Sequence, residues 1–390
     1  MFVTPDKATA HPTTGTNTQP ARMAAPKLTI SNPTLPLSSL ILVTGANGLI
    51  ASHAADQLLA AGYRVRGTVR SATRCAYLTE LYGSRHGADR FSLLEVPDLF
   101  APGAWDEAVR GVAGIAHVLG ALDLHVQDAD RAAAEELPWQ IALLEAAARE
   151  GGVRSVVFTS SAWAAWTPDV QRRVVLTRES WNEEALALAR NREVDAKSKG
   201  FAGFMAFKTL VERGVWDWVH QTRPGFAFNT LLLDTVIGGC LDPVNQGIPS
   251  TAGMVRWVWE NVHLDVLNVM QPQWFVDCRD TGRLFVALLA TAPAVDGERV
   301  YGFGGRYSFF RVAEILKELY PEQAGKLAKV KDQGWDQTEV PNELGAELLG
   351  RLGQKGGWRS LKESVKENAE SWLRLQPGTA KGNGLEHFGG

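Results

Sequence analysis

A glycine-rich turn near the start of the chain has the residue types and the spacing that bind a phosphate group. Gly45 and Gly48 are three residues apart, and the small Ala51 follows after another three. Glycine is needed where a backbone turns tightly against a phosphate, and the amides that begin a following helix attract negative charge. The pattern alone is weak evidence, since a purely structural turn has the same spacing. It predicts phosphate binding only where a strand precedes it and a helix follows it.

The sequence on either side of this turn predicts the strand and the helix that such a site requires. Residues 40–44 form an apolar run that ends at the turn, and Leu49–Ala61 repeats its apolar side chains with a helical period. This context favours dinucleotide binding as the interpretation of the glycine pattern. The residues predicted to hold the pyrophosphate are Thr44, Gly45, Asn47, Gly48, Leu49 and Ile50.

Two arginines follow the second predicted strand, which covers residues 64–69. Where NAD-dependent proteins usually carry an acid for the ribose hydroxyls, this chain has Arg70, and Arg74 follows one helical turn later. A guanidinium at this position suits the 2'-phosphate of NADP through bidentate, charge-assisted contacts. The sequence therefore favours NADP(H) as the cofactor. For Arg74, a solvated surface charge is the alternative.

The residues after the other predicted strands supply the remaining cofactor contacts. Ligands of open parallel sheets bind outside the carboxyl ends of the strands, so these positions converge on the same crevice. We expect Asp98 and Leu99, after the third strand, to contact the adenine. Residues at the ends of the next three strands are predicted to line the rest of the cofactor: Ala116, His117, Val118, Thr159 and Leu233.

Strands and helices are predicted to alternate from residue 40 onward. Such alternation is typical of a parallel sheet that is covered by helices on both faces. We therefore predict an α/β fold with a Rossmann-type doubly wound sheet and a smaller C-terminal region that caps the substrate. The six strands are predicted at residues 40–44, 64–69, 91–96, 114–119, 155–159 and 227–232.

The domain boundaries follow from where this alternation begins and weakens. Later elements are a strand at 299–303 and helices at 309–319 and 360–373. The predicted division is a disordered tail at 1–36, an NADP-binding domain at 37–232, a substrate-binding region at 233–376 that returns in part to the core, and a flexible tail at 377–390.

The overall composition excludes several classes of partner. A net charge of -3 and a pI near 6.3 provide no basic surface for nucleic acid or anionic lipid. Cys75, Cys240 and Cys278 are too far apart for a disulfide framework or a zinc-ligand spacing, so we expect no metal. No apolar run is long enough for a membrane span. We expect a cytoplasmic protein that acts on a small molecule.

Further motifs resemble the extended short-chain dehydrogenases/reductases, the family of fungal and yeast aldehyde and ketone reductases and of plant dihydroflavonol 4-reductase. The resemblance covers about residues 36–373. It implies NADPH-dependent carbonyl reduction by a monomer, or by a homodimer that pairs through the helix carrying Lys208. The segments that carry the resemblance are 42–48, 51–53, 65–71, 157–161, 208–212 and 357–360.

The resemblance also implies catalytic residues. Members of the family use a Ser together with Tyr-x-x-x-Lys, whose spacing puts Tyr and Lys on one helix face beside the nicotinamide ribose. Carried onto this sequence, the Ser is Ser161, or Ser160 instead, and the Lys is Lys208, which also holds the ribose. The Tyr position is Phe204. A phenyl ring has no proton to give, and losing a positioned acid typically costs about 10² to 10⁴ in rate.

Other departures from the family pattern accompany Phe204. Phe207 precedes the lysine where relatives commonly have Ser, and Asp234 follows Leu233 where relatives have Pro and a small or polar residue. Glu145, in a helix predicted at residues 138–149, stands where relatives tend to have Asn. Several coordinated departures favour a natural, altered site over a single engineered change.

The altered site leaves three functions open. The first is reduction of a carbonyl in a bulky, aromatic or polyketide-like molecule. Ser161 together with a water, or with an acid among His117, Asp234 and Lys208, would then cover for the phenol. The second is a non-redox tailoring reaction such as isomerisation, dehydration or stereoselective cyclisation, because orientation alone lowers a barrier. The third is NADPH binding without catalysis. The predicted substrate residues are Ser161, Trp163, Trp166, Phe204, Trp257 and Trp259.

Overall fold

The computed structural model describes Leu28, Ile30 and residues 32–292 and 294–375. Apolar runs form short strands, as β1 illustrates, where Ile41, Leu42 and Val43 have no exposed surface because helices cover both faces of the sheet. The strands are β1 (Leu40–Val43), β2 (Arg64–Val69), β3 (Phe91–Glu95), β4 (Gly114–His117), β5 (Ser155–Ser161), β6 (Ala227–Leu233), β7 (Thr235–Ile237), β8 (Gln273–Asp277), β9 (Arg299–Gly302) and β10 (Gly305–Tyr307).

Seven of these strands form one parallel sheet in the order β3-β2-β1-β4-β5-β6-β9. The chain builds outward from β1 to β3 and then returns to the other side of β1, where Leu42 pairs with Ile115 of β4. This reversal opens a crevice at the carboxyl ends of β1 and β4. The predicted doubly wound α/β fold is confirmed. The strand predicted at 299–303 joins this sheet as its last strand, β9.

Helices cover both faces of the sheet: α1 packs against α10 and α4 packs against α7. The helices are α1 (Leu49–Ala61), α2 (Tyr77–His86), α3 (Asp106–Val109), α4 (Ala129–Glu150), α5 (Glu183–Arg190), α6 (Ala196–Lys199), α7 (Ala202–Thr222), α8 (Thr251–Glu260), α9 (Leu264–Val269), α10 (Cys278–Thr291), α11 (Phe309–Leu319), α12 (Glu343–Arg351) and α13 (Leu361–Leu373).

One capped helix begins close to its predicted start, and another does not. Ser360 caps α13 with a capping box that includes Glu363. The helix inferred from residue 138 onward starts earlier, at Ala129, because the Asp128 side chain accepts a hydrogen bond from the amide of Arg131. Pro138 therefore lies inside α4 rather than at its start.

The C-terminal part adds a second sheet of three strands in the order β10-β8-β7. The predicted domain division stays a prediction, and the tail at 377–390 lies outside the described residues, as does most of the tail at 1–36. Near the end of that first tail, Leu35 is buried. Among the helices of the described ranges, none combines the length and apolar composition that crossing a bilayer needs.

Candidate active site

The glycine turn sits between β1 and α1, at the crevice of the sheet. Gly45 has a φ of 66°, in the left-handed region that favours glycine. A Cβ atom there would lie 3.2 Å from the Cδ1 atom of Leu119. Helix α1 begins after Gly48 with no side-chain cap and no acidic residue in its first turn. Its first amides are therefore available to an anion.

A groove of about 670 Å³ runs from this turn along the ends of β2 and β3. Arg70 and Arg74 are exposed and line the groove, so two guanidinium groups lie on the side where the sequence predicts the 2'-phosphate. The Asp98 carboxylate accepts a hydrogen bond of 2.9 Å from the amide of Phe100. The predicted cofactor residues that line this groove are Gly45, Asn47, Arg70, Arg74, Asp98 and Leu99.

Sequence reasoning missed Gln246, which lines the same groove. Its side-chain amide donates hydrogen bonds of 3.0 Å to the carbonyl oxygens of Asn47 and Gly48 and to the Ser52 hydroxyl. Gln246 follows β7, far from the turn in the sequence, and no local pattern distinguishes it from other loop glutamines. These bonds fix the carbonyl side of the turn.

A buried polar network lies beneath the ends of β1 and β4. The Thr44 hydroxyl accepts a hydrogen bond of 2.9 Å from the amide of Val118 and lies 2.8 Å from Nδ1 of His117. Nε2 of His117 is hydrogen bonded to the side-chain oxygen of Gln140, whose amide donates to Glu136 at 2.7 Å. Because Gln140 donates to a carboxylate, its oxygen accepts from His117 Nε2–H, and Nδ1 accepts from Thr44.

His117 is therefore neutral, and both of its ring nitrogens are hydrogen bonded. Burial lowers the pKa of His117 to about 4. Its ring also packs edge-on against Trp105, Trp139 and Phe158. The structure places this side chain beneath the crevice, with no ring nitrogen left to donate a proton to a substrate.

The two candidate serines have different surroundings. The Ser160 hydroxyl donates a hydrogen bond of 2.7 Å to Glu212, which forms a buried ion pair with Arg299. The Ser161 oxygen accepts a bond of 3.2 Å from the amide of Trp163, which leaves the Ser161 hydroxyl hydrogen available. Neighbouring side chains on a strand point to opposite faces. Ser160 and Ser161 are therefore expected to point to opposite faces of the sheet.

Lys208 and Phe204 lie on the same face of α7. The Lys208 Nζ atom is 5.3 Å from the centre of the Phe204 ring and 5.0 Å from that of Phe207. It donates a hydrogen bond of 2.8 Å to the carbonyl oxygen of Ala121. Burial lowers the pKa of Lys208, and the negative charge of Glu136 partly opposes this effect. Two aromatic faces stabilise the ammonium form through cation–π contacts.

No phenol replaces the missing tyrosine beside Lys208. All six tyrosines lie within the described residues. Tyr77 lines the cofactor groove, and Tyr320 packs on Trp259. The other four hydroxyl groups are hydrogen bonded to Leu35 (from Tyr63), Ser52 (from Tyr82), Thr177 (from Tyr301) and Thr235 (from Tyr307). None of these contacts involves Lys208.

Asp234 connects the end of β6 to the second sheet. Its carboxylate accepts hydrogen bonds from the amides of Thr235 at 2.7 Å and Trp274 at 3.0 Å. Burial raises the pKa of Asp234 well above its usual value. Its described contacts are those of a group that joins two strands.

The predicted substrate residues separate into different aromatic clusters. Trp163 packs against Phe204 at 6.0 Å between ring centres. Trp166 packs against Phe303 instead. On α8, Trp257 lies against His263, and Trp259 lies against Tyr320 and Trp372. The structure thus brings Trp163 and Phe204 together with Lys208, whereas the rings of Trp257 and Trp259 pack near α9, α11 and α13.

The remaining predicted cofactor residues lie at strand ends or on α1. The Thr159 hydroxyl is buried with no hydrogen-bond partner among the described residues. Leu49, Ala116 and Leu233 are buried, whereas Ile50 and Val118 are half-buried. No cluster of His, Cys, Asp and Glu in the described part of the chain could hold a metal ion.

A doubly wound sheet, an uncapped glycine turn and a lysine beside the same crevice define a dinucleotide-binding enzyme of the short-chain dehydrogenase/reductase class. The NAD dependent epimerase/dehydratase family model matches residues 41–188. Aldehyde reductase 2 of Sporidiobolus salmonicolor is 34% identical over 339 residues, which cover 87% of this chain and 97% of that protein. Ketoreductase adrE of Penicillium rubens is 34% identical over a stretch that covers 86% of this chain and 97% of that protein. The chain belongs to this family of NAD(P)-dependent oxidoreductases.

Solved structures show the same fold. Yeast methylglyoxal/isovaleraldehyde reductase Gre2, complexed with NADPH, aligns with a TM-score of 0.69 at 21% identity, over 86% of this chain and 98% of that one. Vestitone reductase from alfalfa aligns with a TM-score of 0.64 at 18% identity, over 85% of this chain and 97% of that one. The resemblance inferred from the sequence motifs is confirmed.

Proposed function

We propose that this protein is an NADPH-dependent reductase of a carbonyl group in a bulky, aromatic or polyketide-like small molecule. The observation that carries the proposal is the course of the groove. It runs from Arg70 and Arg74 at one end to Leu119, two residues before Ala121, whose carbonyl oxygen binds Lys208. A dinucleotide held along this groove would bring its reactive ring towards Lys208 and Ser161.

The residues of the groove fit NADPH. The amides at the start of α1 would hold the pyrophosphate, and Arg70 and Arg74 would hold the 2'-phosphate. When bound, this cofactor supplies the hydride that reduces a carbonyl carbon. Thr159, with its buried and unpartnered hydroxyl, is a further group that a ligand could satisfy.

The chain itself must then supply the proton. The Ser161 hydroxyl would donate a hydrogen bond to the substrate oxygen, and the Lys208 ammonium would give its proton to the developing alkoxide. Burial of Lys208 lowers its pKa, which makes the ammonium a better acid than an exposed lysine. Phe204 and Trp163 exclude water from one side of this site.

Reduction of an aryl ketone tests the proposal. NADPH oxidation would be followed at 340 nm with a panel of aromatic aldehydes and ketones, and the alcohol identified by chromatography. We expect Lys208→Met to lower kcat by about 10²-fold or more. Lys199→Met is a matched control, because Lys199 also donates to a backbone carbonyl, that of Ala189. If NADPH binds tightly but no carbonyl compound is reduced, the proposed reduction is wrong.

One observation favours a second candidate, a non-redox isomerase, dehydratase or cyclase. The proton-donor position holds Phe204, which is packed against Trp163 and is only 4% exposed. Such an apolar wall can orient a flat substrate without donating a proton. Formation of a rearranged product without any loss of NADPH would support this candidate. The assembly state, as monomer or homodimer, and the cytoplasmic location stay predictions.

A further inference from the structure

A carboxylate and an ammonium group hold the same residue of the loop after β4. Glu136, on α4, accepts a hydrogen bond of 3.1 Å from the amide of Ala121. Lys208, on α7, donates one of 2.8 Å to the carbonyl oxygen of that residue. Helices α4 and α7 pack against each other, so the loop is held between two opposite charges.

The neighbouring Gly120 lets these polar groups converge. A Cβ atom at Gly120 would lie 3.5 Å from Glu136 Oε1, 3.6 Å from Lys208 Nζ and 3.9 Å from Gln140 Nε2. A side chain at this position would therefore contact both the carboxylate and the ammonium. Gly120 lies against both charged groups.

Glu136 is an unusual carboxylate because it is 6% exposed. Burying a carboxylate is costly unless hydrogen bonds and an opposite charge compensate it. Gln140 and the Ala121 amide provide the hydrogen bonds, at 2.7 and 3.1 Å. Lys208 provides the opposite charge, and the field of Glu136 in turn favours the ammonium form of Lys208.

We propose that Glu136 is the positioning residue that keeps Lys208 protonated and directed at the end of the groove, where relatives have a phenol beside the lysine. This inference rests on the proposed reduction. In that step the carbonyl carbon gains hydride from NADPH and the oxygen gains the proton that leaves Lys208 Nζ. The neutral lysine then takes a proton from water before the next turnover.

The other titratable groups around Lys208 do not supply this charge. From β4, His117 reaches the cluster only through Gln140 and is neutral. Asp123, on the loop that carries Ala121, is exposed and accepts a hydrogen bond from the amide of His125. From α7 itself come the uncharged rings of Phe204 and Phe207.

The test compares Glu136→Gln with Glu135→Gln in the full chain. Glu135 is the adjacent residue on α4, is exposed and pairs with Arg131, so it controls for loss of one negative charge. Lysine labelled with ¹³C at Cε would be titrated by NMR without cofactor, and the Lys208 signal assigned by its loss in Lys208→Met. We expect the pKa of Lys208 to fall by about one in Glu136→Gln and to stay constant in Glu135→Gln.

The pH profile of reduction gives a second measurement. The ammonium is the acid, so kcat is lost as the pH rises through the pKa of Lys208. In Glu136→Gln this loss should begin at a lower pH by the same amount, with the KM for NADPH unchanged within about twofold. Glu136→Asp should restore most of the wild-type profile. If Glu136→Gln does not fold, Glu136→Asp, which keeps the charge but withdraws it from Lys208, should lower the pKa of Lys208 in the same direction by a smaller amount.

The outcomes separate this inference from the proposed reduction. A lowered Lys208 pKa in Glu136→Gln, in a protein that reduces no carbonyl compound, would support the role of Glu136 and reject the reduction. An unchanged Lys208 pKa in Glu136→Gln would overturn the inference, whether or not the protein is a reductase.

Discussion

The two ends of the groove differ in the types of residue that form them. At the end proposed to hold adenosine, the glycine turn and the exposed Arg70 and Arg74 line the groove. At the end proposed to hold nicotinamide, Phe204 and Phe207 are buried beside Lys208. The first end is cationic, and the second is aromatic. The proposed function therefore assigns cofactor binding and proton donation to different parts of the fold.

The physical reason lies in what each end requires. Phosphate binding uses backbone amides and flexible guanidinium groups, so many local sequences can provide it. Proton donation needs one acidic hydrogen within hydrogen-bond reach of the substrate oxygen, so a single atom decides it. Removing the hydroxyl group at position 204 alters the chemistry and leaves the adenosine end unaffected.

The largest effect is expected from restoring the phenol. Phe204→Tyr should raise kcat for ketone reduction by about 10²-fold, because a tyrosine hydroxyl beside the Lys208 ammonium is a positioned acid. Phe207→Tyr adds the same hydroxyl to the neighbouring ring, which also contacts Lys208, and is the matched control. Steady-state assays at 340 nm with both variants provide the measurement. Equal rates for Phe204→Tyr and the wild type would show that the missing phenol does not limit the reaction.

The two serines should separate catalysis from stability. Ser161→Ala should lower kcat by about 10²-fold, since it removes a hydrogen bond to the developing oxyanion. Ser160→Ala should leave kcat nearly unchanged and lower the free energy of unfolding by about 1 kcal/mol, because Glu212 loses one partner. Kinetics and urea denaturation of both variants test this. The reverse pattern would assign the catalytic role to Ser160.

Acidification should destabilise the buried hydrogen-bond network of His117, which runs from Thr44 to Glu136. The folded-state pKa of His117 is about 4, below the value of 6.5 for the unfolded chain, so the unfolded state binds more protons between these values. His117 therefore costs no stability above pH 6.5 and destabilises the fold as the pH falls. At pH 5 the loss is about 2 kcal/mol.

Urea denaturation at pH 7 and pH 5 measures this loss. His53 is also buried with a lowered pKa and acts in the same direction, so the wild type alone is not sufficient. His117→Gln should lose less stability than the wild type between these pH values, whereas the exposed His125→Gln should behave like the wild type. An equal loss in all three proteins would contradict a neutral His117.

The smallest effect is expected at the adenosine end. Arg70→Ala should raise the Kd for NADPH by about tenfold and leave the Kd for NADH unchanged, since only NADPH carries the 2'-phosphate. Arg110→Ala is the control, because Arg110 is equally exposed but pairs with Glu107 away from the groove. Isothermal titration calorimetry with both nucleotides measures the difference. An equal change for NADH would remove the argument for NADP specificity.

Local patterns predicted the elements around the groove. The helices Leu49–Ala61 and Phe309–Leu319 begin and end where their apolar periodicity places them. The start of α4 was missed. The helix was predicted to begin at Pro138, whereas Asp128 provides the cap. Asp128 lies ten residues before Pro138, and only the structure shows the hydrogen bond that identifies it as the cap.

The sequence by itself determined the sheet, the glycine turn, the arginines after β2 and the absence of a hydroxyl group at Phe204. These depend on residue type and on spacing within one element. Only the tertiary structure decided that Ser160 donates to Glu212, that Gln246 binds the turn, and that Glu136 and Lys208 hold the same loop residue. Such contacts join residues far apart in the chain, and the packing of helices on the sheet sets their direction.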